Sequence, residues 1–509
     1  MLAKVTAGAT VGLNSVLVIV EVDVTEKGLP SFTIVGLPDK AVEESKERVR
    51  AAIKNSGAEF PKHRIIINLA PADLPKEGPA YDLPIALGLL MASGQISANL
   101  DEAMVLGELS LDGSLRHING ILPMALLAME KKKPTLFLPS VNAQEASLVK
   151  GVKVYPVESL LNLFNHLIGV EEIKPSPSTS FQSLVSKSEA EFDMAEIKGQ
   201  EHVKRALEIA AAGGHNLFMR GVPGAGKTML ARALPGILPD LTEEEALEVT
   251  IIYSITGNLP NEVSIITQRP FRAPHHTTSR IGLIGGGSHP RPGEISLAHR
   301  GVLFLDEFPE FPRHVLESLR QPMEDGIVQI SRAVGTVKYP AQFILIAAAN
   351  PCPCGYLGDE KRQCRCLPGQ IIRYQRRLSG PLLDRIDLHV DVPAVKVEKL
   401  TGEGVIGEES KSIQKRVQAA RERQRRRFKG KKIKANGEMQ TKEIKKDCPL
   451  DSESLNLLRQ AVSQMNLTAR SYYRVIKLAR TIADLAGEEK IKVAHLAEAL
   501  QYRPKEQFF

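Results

Sequence analysis

The stretch Gly221-Val222-Pro223-Gly224-Ala225-Gly226-Lys227-Thr228 has the residue types and spacing to hold a polyphosphate. It fits the pattern G-x-x-x-x-G-K-[ST], whose glycines let the backbone turn its N–H groups toward phosphate oxygens. Lys227 supplies a positive charge for the β- and γ-phosphates and Thr228 a hydroxyl for Mg²⁺. Met229 follows directly, so the expected nucleotide-binding set runs from Gly221 to Met229. Further along, residues 301–305 form an apolar run that ends in Asp306 and Glu307. Asp306 is expected to hold Mg²⁺ through water, and Glu307 to polarise the attacking water. An acidic pair after a strand says little alone. Beside a phosphate loop it points to hydrolysis of a nucleoside triphosphate.

These groups need a sheet to position them. Residues 216–220 read as a short buried strand entering the loop. Residues 229–234 read as the helix leaving it, whose N-terminal dipole favours an anion. Residues 301–305 read as a fully buried parallel strand. Residues 343–350 read as another, ending in Asn350, a polar side chain able to orient a water. The alternation over 326–340, with Gly335 near its middle, predicts a hairpin. Arg332 and Lys338 on it are candidate phosphate contacts or plain solvated charges. The long interval between the loop and the acidic pair carries turn residues at 285–287 and 290–293, exceeds what a minimal phosphate-loop core needs, and reads as an insertion. His275 and His276, if in a strand, point oppositely and would not share a metal. Upstream, residues 17–24, 32–35, 64–69 and 135–138 read as strands and 39–55 and 83–91 as helices, which makes an α/β domain. Residues 174–180 are rich in Pro and Ser and read as a mobile linker.

A chain of 509 residues suggests two to four domains, and its 43% hydrophobic content is ample for packed cores. No apolar run is long and charge-free enough to span a bilayer. Glu21 and Asp23 follow the first apolar strand without a cleavage pattern, so a cytoplasmic protein is expected. A net charge of +7 and a pI of about 9.0 permit nucleic acid without requiring it. Positive charge concentrates at 411–434, in a helix that suits a nucleic-acid backbone or is an ordinary solvated face. Phe428 is its one aromatic residue, so base stacking is not expected. Cys352, Cys354, Cys364 and Cys366 form two C-x-C pairs, which suit tetrahedral Zn²⁺. Unligated thiols on an ordered loop, or a redox pair, are the alternatives. Cys448 stands apart.

Residues 76–82 and 107–122 resemble the proteolytic domain of Lon-type proteases. Ala80 and Leu122 stand where those enzymes carry a Ser–Lys dyad, and neither performs nucleophilic catalysis. The resemblance implies a non-proteolytic domain of ribosomal S5 domain 2-like fold, used for assembly or binding. Residues 193–200, with the phosphate loop, resemble the entry to an AAA+ ATPase module. By that likeness Asn350 takes the sensor-1 place, Arg385 that of an arginine finger reaching a neighbouring subunit, and Arg470 the sensor-2 place. Four strings are more specific: Leu37-Pro-Asp-Lys-Ala-Val42, Arg272-Ala-Pro-His-His-Thr-Thr-Ser279, Pro292-Gly-Glu-Ile-Ser-Leu-Ala-His299 and Asn350-Pro-Cys-Pro-Cys-Gly355. They resemble the magnesium-chelatase-like ATPases of the YifB/ComM family, over essentially the whole chain.

The resemblance implies an α/β fold with a Lon-like domain at 1–170, a linker at 171–192 and an AAA+ parallel-sheet core at 193–396. A basic helical arm at 397–448 and a helical lid over the nucleotide at 449–509 complete it. ATP and Mg²⁺ are implied, with assembly into a ring, a hexamer by analogy. DNA, single-stranded or branched and bound without sequence preference, is the implied partner, because the family includes a hexameric helicase that promotes branch migration during natural transformation. The alternatives are a metal-chelatase motor subunit, although no von Willebrand-type metal-site module is present, and a protein-remodelling ATPase.

Overall fold

A computed structural model describes residues 2–25, 29–179, 181–184, 191–260, 263–287, 290–332, 335–394 and 407–504. The chain divides into two compact units. The first is Met1–Val185 with Glu243–Thr267, the second Ser186–Thr242 with Gln268–Phe509. Among the described residues, no helix is long and apolar enough to cross a membrane.

In the first unit, β1 (Leu2–Val11), β2 (Asn14–Thr25), β3 (Ser31–Val35) and β4 (Arg64–Ala70) form a sheet in the order β1-β2-β4-β3. Only the β3–β4 pair is parallel. Alternation along β2 sends Val18, Val20, Val22 and Val24 inward. Helix α1 (Lys40–Asn55) starts at the cap Asp39, whose Oδ1 accepts the Val42 N–H at 2.8 Å. Helix α2 (Asp82–Ala92) is apolar nearly all round and packs on β1 and β2. Asp82, at the start of α2, is fully buried and accepts from Arg48 Nε at 2.7 Å, a paired charge rather than an orphan. A second, parallel sheet contains β5 (Ala103–Val105), β6 (Thr135–Pro139) and β7 (Lys153–Val157). Helix α3 (Ile121–Glu130) buries Leu122.

Two segments lie differently from the sequence expectation. The helix Glu243–Thr256 falls within the interval assigned to the ATPase core, yet it is built into the first unit. Its Ser254 Oγ donates to Glu145 Oε1 at 2.5 Å and its Ser254 carbonyl accepts the Gly120 N–H at 3.1 Å. The Pro/Ser-rich stretch is also held, since Ser176 donates its N–H to the Val154 carbonyl at 2.8 Å.

The second unit centres on a sheet that holds the phosphate loop. Helix α4 (Glu201–Gly213) precedes β8 (Leu217–Gly221), and α5 (Lys227–Ala233) follows the loop. Then come β9 (Phe271–Arg272), β10 (Val302–Leu305), β11 (Ile327–Arg332), β12 (Gly335–Pro340), β13 (Ile344–Ala349) and β14 (Leu388–Val392). Five strands form a parallel sheet in the order β9-β10-β13-β8-β14. Strand β8, first in sequence, lies between β13 and β14, so the order reverses beside it. Open α/β sheets bind ligands at such a point, beyond the carboxyl ends of the strands.

The alternating stretch 326–340 is the antiparallel hairpin β11–β12, with Arg332 opposite Gly335. The Arg332 side chain lies outside the described residues; Lys338 is exposed. Gly285–Gly286 pairs antiparallel with Arg291–Pro292, and Tyr339 Oη donates to the Pro290 carbonyl at 2.6 Å, tying the two hairpins together.

Helices α6 (Ser410–Arg427), α7 (Ser452–Gln464), α8 (Ala469–Ala486) and α9 (Val493–Gln501) complete the unit. Leu207 of α4, Leu217 of β8, Val417 of α6 and Leu478 of α8 share one core. The reading of 397–448 as a basic arm is therefore corrected for α6, which is a packed helix. Arg421 and Gln424 donate to the Ala211 and Ala212 carbonyls at 2.9 and 3.0 Å, capping the end of α4. Arg427 makes a bidentate pair with Asp484 at 2.5 and 2.8 Å, and Arg416 pairs with Glu208 at 2.7 Å. Lys411, Lys415, Arg426, Lys429 and Lys432 remain on the surface.

Asp387, just before β14, joins the helices to the sheet. Its carboxylate pairs with Arg474 of α8, and accepts the Asn216 N–H at 3.2 Å and faces His215 Nδ1 at 3.3 Å. Burial alone raises its pKa, but the Arg474 charge and the His215 contact outweigh it and hold the carboxyl well below the ordinary range. A depressed folded pKa means the group stabilises fully above its unfolded value, about 3.9, and loses that contribution as pH falls below it. Asp387→Asn should cost about 3–5 kcal/mol by leaving Arg474 without its buried partner. Thermal unfolding at neutral pH measures the loss; an unchanged midpoint contradicts this role.

Candidate active site

The phosphate loop spans the end of β8 and the start of α5. Gly226 has a φ of 89°, in the left-handed region that a side chain disfavours, and turns the chain into the helix. Asp306 and Glu307 follow β10 directly, and Asn350 follows β13. A cavity of about 400 Å³ is lined by Pro223 to Met229 together with Asp306, Glu307 and Asn350. Residues separated by more than a hundred positions thus meet where the sheet order reverses.

Lys227 Nζ donates to the Gly221 and Val222 carbonyls at 2.7 and 3.0 Å and to Asn350 Oδ1 at 3.1 Å. Burial lowers its pKa, while Asp306 opposes that shift. A phosphate oxygen in the cavity competes with uncharged acceptors for this ammonium, and a charge-assisted bond is the stronger. Thr228 Oγ1 donates to Asp306 Oδ2 at 2.8 Å. A hydroxyl and a carboxylate side by side are hard oxygen donors and fit Mg²⁺, which keeps several waters and takes few protein ligands. Thr228 would hold the ion directly and Asp306 through water. When bound, Mg²⁺ neutralises charge on the β- and γ-oxygens.

Glu307 adopts a left-handed backbone, φ 49°, rare outside glycine. Its side chain is 54% exposed and Oε2 lies 3.1 Å from His276 Nδ1. His276 is thus a site neighbour that the sequence reading missed. The expectation of oppositely directed histidines is corrected: both lie beyond β9 outside any strand, and their rings approach to 4.0 Å between centroids. Membership of the string Arg272–Ser279 was the available signal.

Arg385 and Arg470 are not among the residues lining the cavity. They converge on Glu324 instead. Arg385 is 4% exposed, with Nη2 2.6 Å from Glu324 Oε1 and Nη1 2.7 Å from the Pro381 carbonyl. Arg470 lies 3.4 Å from the same oxygen and is 56% exposed. The two arginines pull the Glu324 carboxyl below its ordinary pKa, against the effect of burial. Asp384 and Asp387, which flank Arg385 in the sequence, are engaged elsewhere: Asp384 with Ser471 Oγ at 2.9 Å, Asp387 with Arg474.

Comparison with known proteins bears on this geometry. Family models match three stretches: magnesium chelatase, subunit ChlI, over residues 193–400; subunit ChlI of Mg-chelatase over 20–142; and the magnesium chelatase subunit ChlI C-terminal region over 407–503. Competence protein ComM of Haemophilus influenzae is 46% identical over 507 residues, 99% of this chain and 97% of that protein. The chain belongs to the magnesium-chelatase-like AAA+ ATPase family of ComM and YifB. YifB of Escherichia coli is 45% identical over 97% of this chain and 96% of its own length. The magnesium-chelatase 38 kDa subunit of Rhodobacter capsulatus is 26% identical over 204 residues, 36% of this chain and 55% of that protein. Membership of this ATPase family points to ATP and Mg²⁺ as cofactors.

Proposed function

We propose that this chain is a ring-forming ATP-hydrolysing motor that moves DNA, with each nucleotide site shared between two copies. One observation carries the reading. Lys227, Thr228, Asp306, Glu307 and Asn350 surround a single cavity, whereas Arg385 and Arg470 gather at Glu324 outside its lining. On this reading the guanidinium groups that offset γ-phosphate charge come from a second copy. Within one subunit Lys227 and the loop N–H groups bind the phosphates, Glu307 takes a proton from the attacking water, and Asn350 orients that water. Arg385 exchanges Glu324 for phosphate when copies meet, and Arg470 approaches the same phosphates. The C-terminal helices, read from sequence as a lid, contribute no residue to the cavity lining, so we assign them to carrying Arg470 toward the adjoining copy. We assign the Lon-like unit to assembly or binding rather than proteolysis.

DNA as the partner is supported by charge and by kinship. A cleft of about 750 Å³ is lined by Arg313, Arg373, Arg376 and Arg377, with Glu310 the single acid among its lining residues. Such a surface suits a phosphodiester backbone without sequence readout. A relative matching nearly the whole chain is named a competence protein, which supports a helicase or branch-migration role in taking up or recombining DNA. The match to a magnesium-chelatase subunit covers only 36% of the chain and supports the chelatase reading less.

An ATPase assay with single-stranded, duplex and branched DNA, and with an unfolded polypeptide, tests the proposal. DNA should raise turnover several-fold and polypeptide should not. Stimulation by polypeptide alone would replace the DNA reading with protein remodelling.

A further inference from the structure

We propose that Cys352, Cys354, Cys364 and Cys366 bind one Zn²⁺ ion, and that this clip braces the phosphate loop. The cysteines sit on the segment that leaves β13 directly after Asn350. Their sulfurs lie within 4.8 Å of one another. Three separations are 3.4 Å for Cys352–Cys354, 3.7 Å for Cys352–Cys364 and 3.6 Å for Cys354–Cys364. A tetrahedral ion with Zn–S bonds of about 2.3 Å sets its sulfurs about 3.8 Å apart. A disulfide requires about 2.05 Å, so no pair here is bonded. An iron–sulfur cluster spreads its thiolates wider than a single ion does, which favours one zinc among the metals that take four thiolates.

The clip touches the nucleotide cavity at two places. Asn350, adjoining the first cysteine pair, accepts from Lys227 Nζ at 3.1 Å. Gly355, just after Cys354, has a φ of 86° and lies against Pro223 of the phosphate loop. A Cβ at position 355 would stand 2.5 Å from Pro223 Cγ and 2.7 Å from Cδ. That contact demands glycine and leaves no slack between the two loops. On its other side the segment is tied to the helix Pro368–Gln375, where Gln375 Nε2 donates to the Pro351 carbonyl at 3.4 Å. Zinc thus fixes residues 351–366 as one body, and that body positions Pro223 and Asn350.

The full chain, purified without a histidine tag and with the metal determined by mass spectrometry, tests the ligand assignment. About one zinc per chain is expected, as in a closed four-thiolate site. Protein grown with Co²⁺ should show the intense visible bands of a tetrathiolate site. Cys354→Ser/Cys364→Ser should retain no metal, and Cys448→Ala should retain it. Wild-type protein without zinc, or with iron in its place, overturns the assignment, and that measurement stands even if the double variant fails to fold. Hydrogen exchange tests the bracing. In the folded double variant, amides of 221–229 should exchange faster than in wild type, and in Cys448→Ala they should not. Zinc loss that leaves exchange at 221–229 unchanged overturns the bracing role.

Discussion

Glu307→Gln should bind ATP with nearly wild-type affinity and hydrolyse it about 10²–10⁴-fold more slowly, the range for loss of a general base. The reasons are local. Glu307 is exposed at the cavity edge and holds no phosphate-loop residue in place, so its loss leaves the Lys227 contacts intact. Glutamine has the same shape and keeps an oxygen for His276, so the change removes the charge and little else. Single-turnover hydrolysis beside equilibrium nucleotide binding separates the two effects. Normal turnover by the glutamine variant would remove Glu307 from catalysis and leave its strained backbone without a functional account.

Arg385→Ala should lose about 10³–10⁵ in turnover if its guanidinium acts on a neighbour's γ-phosphate, by analogy with other arginine fingers. The structure makes the test sharp, because Arg385 also pairs with Glu324 at 2.6 Å inside its own subunit. A purely internal role predicts a less stable subunit whose defect stays with it. A role in trans predicts rescue. Mixed with Lys227→Ala protein, the Arg385→Ala chain contributes an intact phosphate loop and the other an intact Arg385. Some interfaces then join the two, and activity should return. Each variant must be inactive alone, keep a wild-type unfolding profile and exchange subunits. Mixed assemblies that form and recover nothing rule out the assignment in trans.

Much of the cavity lining was legible because its parts are written locally. The phosphate loop is one contiguous pattern, and Asp306, Glu307 and Asn350 each follow an apolar strand that announces itself. Strand β1 was not legible: Ala3, Ala7 and Ala9 supply part of its buried face, and small side chains give little alternation to read. Composition misjudged α6, because a run of arginines looks the same whether it faces solvent or caps the end of α4. The meeting of Arg385 and Arg470 at Glu324 carried no sequence signal, since three distant segments converge there only after folding. The placement of Glu243–Thr256 in the first unit likewise depends on the Glu145–Ser254 bond, which no periodicity reveals.

The central claim is that the cavity beneath Lys227 hydrolyses ATP. Steady-state phosphate release by the purified chain, with Mg²⁺ and branched DNA present, tests it against Lys227→Ala prepared in the same way. Lys227 is the buried cation of the loop, held by two carbonyls and Asn350, and no other lysine or arginine lines the cavity among the described residues. Wild-type protein should release phosphate continuously, and Lys227→Ala should not rise above background although its fold is unchanged. Equal rates from the two proteins, or none from either, would contradict the account.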